Sequence, residues 1–428
     1  MFTKNGKGND VEVRCCGSGA LEASFVAREI NMLVNSKKYK YSDIAILYRS
    51  NYITLEFEKE FMAKSIPYVI YGGTKFYQRM EIKDVIAYFR LINNFKDDIS
   101  FERIINVPKR GIGEKNIDLI KKSALTANLS IYEYLSTQEA KDSLPPKIYI
   151  ALSSLIMAIE VVKTKLKDDT EIFSKTLEDF INDIGYYNYL NELDDGEDRL
   201  ANVKSLFDDI RHYLKSNPDS TFDEYLQNVS LVSSQDDITE GQHVKMMTVH
   251  TAKGLEFPVV FIVRLNQGVF PNNKALLESG YTAMEEERRL CYVAITRAKE
   301  KLYLSFAEGY SYVSQEYLSE SQFIKESGNQ VSKIQETTFS KIFSNDYGFT
   351  KQVRPTSYKI DDEVQHQDFS QVVNDVTSWQ VGDVVIHKNL GKGIVIKVED
   401  EMIIQVDFES CGIKTILGNH PAVSKGSK

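Results

Sequence analysis

The stretch from Val244 to Phe270, VKMMTVHTAKGLEFPVVFIVRLNQGVF, decides the fold. It reads as strand, loop, strand. Val244 to Val249 is apolar apart from Lys245 and Thr248, and Pro258 to Leu265 is a second apolar run. Strands buried on both faces of a parallel sheet require such runs. The loop between them carries His250, Thr251, Lys253, Gly254 and Glu256. Polar groups at the end of a parallel strand sit where open α/β sheets bind ligands. Lys253 followed by Gly254 supplies a cation and a tight backbone approach. That pair suits a phosphate of a nucleotide or of a nucleic acid strand. On these residues alone, a plain strand connection with a chance Lys-Gly reads equally well.

A second stretch shifts that balance. Glu285 to Phe306, EEERRLCYVAITRAKEKLYLSF, reads as a helix running into a strand. Leu290, Val293 and Ala294 mark its buried stripe, and Arg297 follows at the helical repeat on the same stripe. An inward arginine needs an anion, because an unpaired buried charge is very costly. A neighbouring carboxylate would serve as well as a phosphate. Taken together, the segment TVHTAKGLEF (residues 248–257) and EEERRLCYVAITRA (residues 285–298) resemble motifs V and VI of the UvrD/PcrA/Rep family of superfamily-one DNA helicases.

The whole chain sets bounds on that resemblance. With 428 residues there is room for two to four domains. A hydrophobic content of 42% and a charged content of 26% are ordinary for a globular protein. No apolar run approaches the roughly 20 residues of a membrane span, and no membrane partner is expected. MFTKNGKGNDVEV has no apolar signal-peptide core. Cys15, Cys16, Cys291 and Cys411 show no metal-binding spacing and read as reduced thiols of a cytoplasmic protein. The net charge of −9 counts mildly against nucleic acid, so any binding must rest on local basic clusters.

Earlier in the chain, Val11 to Cys15, Asp43 to Tyr48 and Pro67 to Tyr71 read as strands. Helices fill the gaps, at Ala20 to Val34 and from Asn51 to about Lys64. This alternation predicts a doubly wound parallel sheet. Arg49 and Asn51 sit just past a strand's carboxyl end, and in the resembled family the matching segment contacts single-stranded DNA. The alternative is an exposed arginine and an asparagine helix cap. GGTKFYQR (residues 72–79) places Lys75 and Arg79 among Phe76 and Tyr77. Cations interleaved with aromatic rings suit a nucleic acid strand, and the resemblance assigns Lys75 to DNA. A hinge before an ordinary helix is the alternative.

In Phe101 to Ala124, two helices flank Pro108-Lys109-Arg110-Gly111-Ile112-Gly113. The glycines permit a tight turn that exposes backbone N–H groups at a helix start, an anion site to which Lys109 and Arg110 add charge. This is the pattern of a helix-hairpin-helix gripping duplex phosphates through Lys109, Arg110, Gly111 and Gly113, with a plain glycine-rich helix turn as the alternative. Helical patterning then continues to about Leu231, so the sheet is interrupted by a helical bundle. Gln330 to Thr377 is polar and reads as a flexible linker. Trp379 to Leu417 shows short strands separated by glycine turns, a small β-barrel resembling the Tudor-like tail of PcrA/UvrD proteins. That tail is implied to dock RNA polymerase or repair proteins. Lys388, Lys392 and Lys397 on it also suit nucleic acid.

The expected fold is therefore α/β. A RecA-like parallel-sheet domain is interrupted by a large helical insertion and followed by a small C-terminal Tudor-like β-barrel. Residues 1–71 and 243–329 are the two segments of the second RecA-like domain, 72–242 the insertion, 330–377 the linker and 378–428 the barrel. No G-x-x-x-x-G-K-[ST] occurs in the sequence, nor a strand ending in paired acids for Mg2+. In the resembled family these lie upstream, in the first RecA-like domain. The resemblance implies the C-terminal part of an ATP-dependent 3′-to-5′ DNA helicase acting in repair or replication. ATP and Mg2+ would bind only with the missing domain. Arg297 would reach the γ-phosphate as an arginine finger, Glu256 the ribose, and Gly254 would line the nucleotide site. His250, Lys253, Arg49, Asn51 and Lys75 would hold single-stranded DNA. Three alternatives remain at this stage: a non-enzymatic DNA- or polymerase-binding module, one half of a split helicase, or a helicase-nuclease subunit. The tail shows a barrel pattern and a single cysteine where such a subunit would carry a nuclease and often an iron–sulfur cysteine set, which argues against the last.

Overall fold

The structure is a computed structural model that describes residues 9–166, 170–217, 220–233, 242–333, 379–387, 391–400, 403–408, 412–417 and 423–426. The chain divides into two compact units, Met1–Gly348 and Phe349–Lys428.

A parallel sheet organises the first unit. Its strands are β1 (Glu12–Cys16), β2 (Ile44–Tyr48), β3 (Tyr68–Tyr71), β4 (Val244–Thr248), β5 (Phe257–Ile262) and β6 (Ala298–Ala307). The short hairpin β7 (Tyr310–Ser311) and β8 (Glu316–Tyr317) stands apart, and β9 (Val331–Lys333) returns to the sheet. The order is β3-β4-β2-β5-β6-β1-β9, and each recorded pairing is parallel. The unalternating apolar runs have a direct reading here. Ile44, Ile46 and Tyr48 enter the core on one face, with Val244, Met246, Val259 and Phe261. Ala45 and Leu47 enter the core on the other, with Met247, Val260 and Ile262. Both faces are covered, so apart from Lys245 and Thr248 on β4 these strands carry no polar alternation.

Helices α1 (Gly19–Asn35) and α2 (Thr54–Ala63) pack on the first face. Ser18 caps α1 by accepting the Leu21 N–H at 3.2 Å. Between β3 and β4, neighbours in the sheet, the chain makes its long helical excursion. It comprises α3 (Met80–Asn93), α4 (Asp98–Ile104), α5 (Glu114–Ala127), α6 (Ile131–Leu135), α7 (Gln138–Ser143), α8 (Pro146–Lys165), α9 (Thr170–Asp183), α10 (Tyr186–Asn191), α11 (Gly196–Ser216) and α12 (Phe222–Ser233). These helices share a core of their own, with Tyr88, Phe89, Phe101, Leu177, Tyr186 and Phe207 at its centre. On the second face of the sheet lie α13 (Asn273–Ile295), kinked at Gly280, and α14 (Gln322–Ser327).

The second unit is a five-stranded antiparallel sheet of β10 (Val384–His387), β11 (Gly391–Asp400), β12 (Ile403–Phe408), β13 (Gly412–Leu417) and β14 (Val423–Gly426), in the order β13-β12-β11-β10-β14. Trp379, Val385, Val395, Ile404, Val406 and Phe408 fill its core. The strand β14 extends past the Leu417 limit read from sequence.

Two sequence expectations need correction. The polar stretch from Gln330 does not begin a linker, because Val331–Lys333 is the edge strand paired with β1. Three residues carry too little hydrophobic signal to announce a strand, and the exposed edge of β1 supplies the pairing partner. The remainder of that expected linker lies outside the described residues, as do Lys388 and Cys411. Of the interleaved rings and cations after Gly72, Phe76, Tyr77 and Arg79 are also not available as a nucleic acid surface. Phe76 is 0% exposed, Tyr77 6% and Arg79 7%. They anchor the insertion instead: Arg79 donates to Asn202 Oδ1 and Thr54 Oγ1, each at 2.7 Å, and to the Asn51 carbonyl at 3.1 Å. Burial of the rings stabilises more than exposure to a solvated strand would.

Candidate nucleotide and nucleic-acid interface

The sheet sorts the expected site residues into two groups at opposite edges. At the carboxyl edge, β3, β4 and β2 end side by side. The Val249 N–H donates to the Tyr48 carbonyl at 2.9 Å, which aligns the end of β4 with that of β2. His250 and Thr251 follow β4, Arg49 and Asn51 follow β2, and Gly72 with Lys75 follow β3. Gly72 has φ +73°, and a Cβ there would meet Thr251 Oγ1 at 3.1 Å. The glycine is thus required for both its backbone angle and its close approach. Thr251 is fixed in turn by Thr248, whose Oγ1 accepts the Thr251 N–H at 3.2 Å.

Within this row, Arg49 differs from expectation. Its guanidinium is not free: Nε donates to Glu287 Oε1 at 2.9 Å and Nη2 to the same oxygen at 2.8 Å. Glu287, on α13, is 2% exposed and also accepts the Asn272 N–H at 3.1 Å. Sequence reasoning missed Glu287, quoting it within the EEERRLCYVAITRA motif without a role of its own. The signal was present, since Glu287 precedes Ala294 by two helical turns and so lies on the buried stripe. His250 is exposed at the rim of this pair. Desolvation and the adjacent Arg49 charge lower its pKa below the ordinary 6.5, against the opposing pull of Glu287. Asn51 opens a short 3-10 turn and lends its carbonyl to Arg79. The Lys75 ammonium lies 5.7 Å from the centre of the Tyr68 ring. Lys253 is exposed, and no ion pair holds it among the described residues.

The second group lies at the amino edge, where β5 and β6 begin. The loop after His250 crosses from one edge to the other. Gly254, with φ +88°, lies on this crossing before Leu255 and Glu256. Arg297 is two residues beyond the end of α13, not on its apolar stripe, so the need for a buried anion does not arise. Its fork is satisfied by neutral oxygens: Nε donates to the Val293 carbonyl at 2.9 Å, Nη1 to the Leu255 carbonyl at 2.8 Å and Nη2 to Thr296 Oγ1 at 3.0 Å. The Phe257 N–H donates back to the Arg297 carbonyl at 2.9 Å. Among the described residues no carboxylate neutralises Arg297. The two quoted motifs are therefore clasped together at the guanidinium, which is held in place with its charge uncompensated. Glu256 and Lys299, both exposed, face each other at 3.3 Å.

The hairpin between α4 and α5 forms a third locus. Lys109 is exposed. Arg110 is not available as expected, because its guanidinium folds inward, donating to the Ile104 carbonyl at 2.7 Å and to the Tyr88 hydroxyl at 2.7 Å. Asn106 takes two of the backbone donors, the N–H groups of Arg110 at 2.8 Å and Ile112 at 3.2 Å. Gly111, at φ +72°, and Gly113, the N-cap of α5, are exposed, and a Cβ at either would meet nothing within 4 Å. The turn thus presents two small residues to open space at the positive end of a helix, with Glu114 in its first turn. Among the described residues no group of three or more His, Cys, Asp and Glu is placed to hold a metal ion. These residues therefore do not by themselves fit a Mg2+ site.

The family model of the UvrD-like helicase C-terminal domain matches residues 1–309. The chain belongs to the UvrD-like helicase family. A second model, the PcrA/UvrD tudor domain, matches residues 381–425 and coincides with the five-stranded unit. Among similar proteins are the ATP-dependent DNA helicases PcrA of Staphylococcus aureus (strain MRSA252) and Staphylococcus epidermidis, each 32% identical over 99% of this chain and 58% of the relative. The chain thus spans 58% of the length of these UvrD-like relatives. No described helix is long and apolar enough to cross a membrane.

Proposed function

We propose that this chain acts as the C-terminal region of an ATP-dependent 3′-to-5′ DNA helicase. The observation that carries the reading is the Arg297 clasp. Three neutral acceptors fix a guanidinium whose positive charge no carboxylate among the described residues cancels, beside the loop that bears Lys253, Gly254 and Glu256. A fixed, uncompensated charge is what transition-state stabilisation at a transferring phosphoryl group uses. The phosphate loop would come from a first RecA-like domain, with ATP between the two. In that complex Arg297 meets the γ-phosphate and Glu256, released from Lys299, meets the ribose. The row at the carboxyl edge tracks single-stranded DNA through His250, Lys253, Asn51 and Lys75. Arg49 supports that row through Glu287, which holds its guanidinium. The hairpin holds duplex phosphates through Lys109 and the Gly111 and Gly113 backbone. Contacts of the five-stranded unit with RNA polymerase or repair proteins belong to the same reading, as its resemblance to the Tudor-like tail implies.

The test joins this chain to the N-terminal region of the Staphylococcus aureus relative. DNA-stimulated ATP turnover and 3′-to-5′ unwinding are expected from the fusion, and no turnover above buffer from the chain alone. Arg297→Ala in the fusion should lower turnover by about 10³-fold with single-strand affinity retained. Arg297→Lys should not restore it, since a point charge cannot reproduce the planar fork. Turnover by the isolated chain that disappears in Arg297→Ala would sink the reading.

A further inference from the structure

A groove lies on the helical insertion, lined by none of the residues given a nucleotide or nucleic-acid role above. Lys83, Ile86 and Arg90 of α3 form one wall, Ile99 and Arg103 of α4 another, and Val229 of α12 closes it. Its volume is about 410 Å3, and its lining holds three cations and no carboxylate. Arg103 is braced from behind by Asp84 at 2.7 Å, and Arg90 donates to Ser230 Oγ at 2.9 Å. Lys83 is exposed and carries no ion pair among the described residues. Between these cations the lining is mainly apolar, with Ile86, Ala87 and Val229 beside Gln78 and Ser100. Ile99 is 84% exposed at the rim, a large apolar side chain left in water beside an apolar floor.

The spacing on α3 selects the occupant. Lys83 and Arg90 are two helical turns apart on one face, about 10 Å along the axis, and Ile86 stands between them. A cation–apolar–cation stripe is complementary to a helix that presents two carboxylates one heptad apart around an apolar anchor. A nucleic acid strand fits less well. Tyr77 is the one aromatic residue in the lining among the described residues. It is 6% exposed with its hydroxyl committed to Asp209 at 3.0 Å, so no ring face is offered to a base.

We propose that this groove docks an amphipathic helix of a protein partner, with carboxylates flanking its apolar stripe. The site is separate from the ATP and DNA reading and stands without it. The test is fluorescence anisotropy of the full chain with two labelled synthetic peptides of about four helical turns. Both carry leucines on one stripe; one is flanked by glutamates and the other by lysines. The glutamate peptide is expected to bind and the lysine peptide not. Lys83→Glu and Ile99→Asp change exposed side chains, so thermal melts should be unchanged, while each weakens the glutamate peptide by about tenfold or more. Should one variant melt early, the other carries the test. Failure of the glutamate peptide to bind, equal binding of both peptides, or full affinity in the variants overturns the proposal. Displacement of the peptide by a thymidine oligonucleotide would also overturn it, giving the groove to nucleic acid.

Discussion

Four arginines that look alike in the sequence have four different environments. Arg49 is neutralised by a buried carboxylate, Arg79 is enclosed, Arg110 is turned onto carbonyls, and Arg297 is fixed without a counter-charge. Each environment predicts a different response. Lys109→Ala should leave the melt unchanged and lower the slope of log duplex affinity against log salt by about 0.9, the value for one phosphate contact. Arg110→Ala should instead destabilise by about 2 kcal/mol, since charge-assisted hydrogen bonds to the hairpin are lost. Urea titrations beside salt-dependent binding separate the two, and an unchanged slope in Lys109→Ala would remove the hairpin from DNA. His250 offers a second measurement. Its imidazole should titrate below 6.5 by nuclear magnetic resonance. Arg49→Ala removes a repelling cation and should raise that midpoint. Glu287→Gln removes an attracting anion and should lower it. Shifts of the same sign would contradict the cluster.

At the scale of elements, α13 joins the two edges of the sheet. Glu287 on its buried side holds Arg49 at the carboxyl edge, and Arg297 just past its end reaches the amino edge. Glu287→Ala would leave the Arg49 charge, 21% exposed, without its partner. A loss of about 3 kcal/mol is expected in urea unfolding, with single-strand affinity lowered as the loop after β2 loosens. Stability within error of the parent would mean that the pair is solvated. The helix itself was legible from its 3.6-residue apolar stripe, and so was the strand after it. The place where the helix stops was not. Apolar periodicity continues arithmetically past Ile295, whereas the backbone turns there because the Arg297 N–H and carbonyl are already engaged, with Ala294 at 3.1 Å and Phe257 at 2.9 Å.

At the scale of the molecule, the helical insertion is fastened to the sheet body along one side of α11. Asp209 forms an ion pair with Lys59 of α2 and accepts from the hydroxyls of Tyr77 at 3.0 Å and Tyr225 at 3.2 Å. Ser205 donates to the Tyr52 carbonyl at 3.3 Å. Burial pushes the pKa values of Tyr77 and Tyr225 well up, so both hydroxyls remain donors across the working pH range. Asp209→Ala should therefore cost about 3 kcal/mol or more, because two buried hydroxyls lose their acceptor. Asp209→Asn keeps an acceptor and should cost less. Urea unfolding of the two variants checks the order, and equal losses would show that the ion pair alone matters.

Strand runs such as DIAILY and PVVFIV determined by themselves that a parallel sheet forms, because only burial on both faces tolerates so many adjacent apolar residues. The two motif stretches likewise determined the family, and the long helical patterning before the apolar runs resume at Val244 placed a helical excursion between strands. Side-chain direction was decided only by the tertiary structure. Whether Arg49 or Arg110 faces water, whether Phe76 and Tyr77 stack on a base or on the core, and whether Val331–Lys333 is strand or linker each depend on a partner distant in sequence: Glu287, Tyr88, the α11 surface and the open edge of β1. Local composition carries the propensity of an element. The sign and exposure of a charge are set by what packs against it, and that is a property of the folded chain.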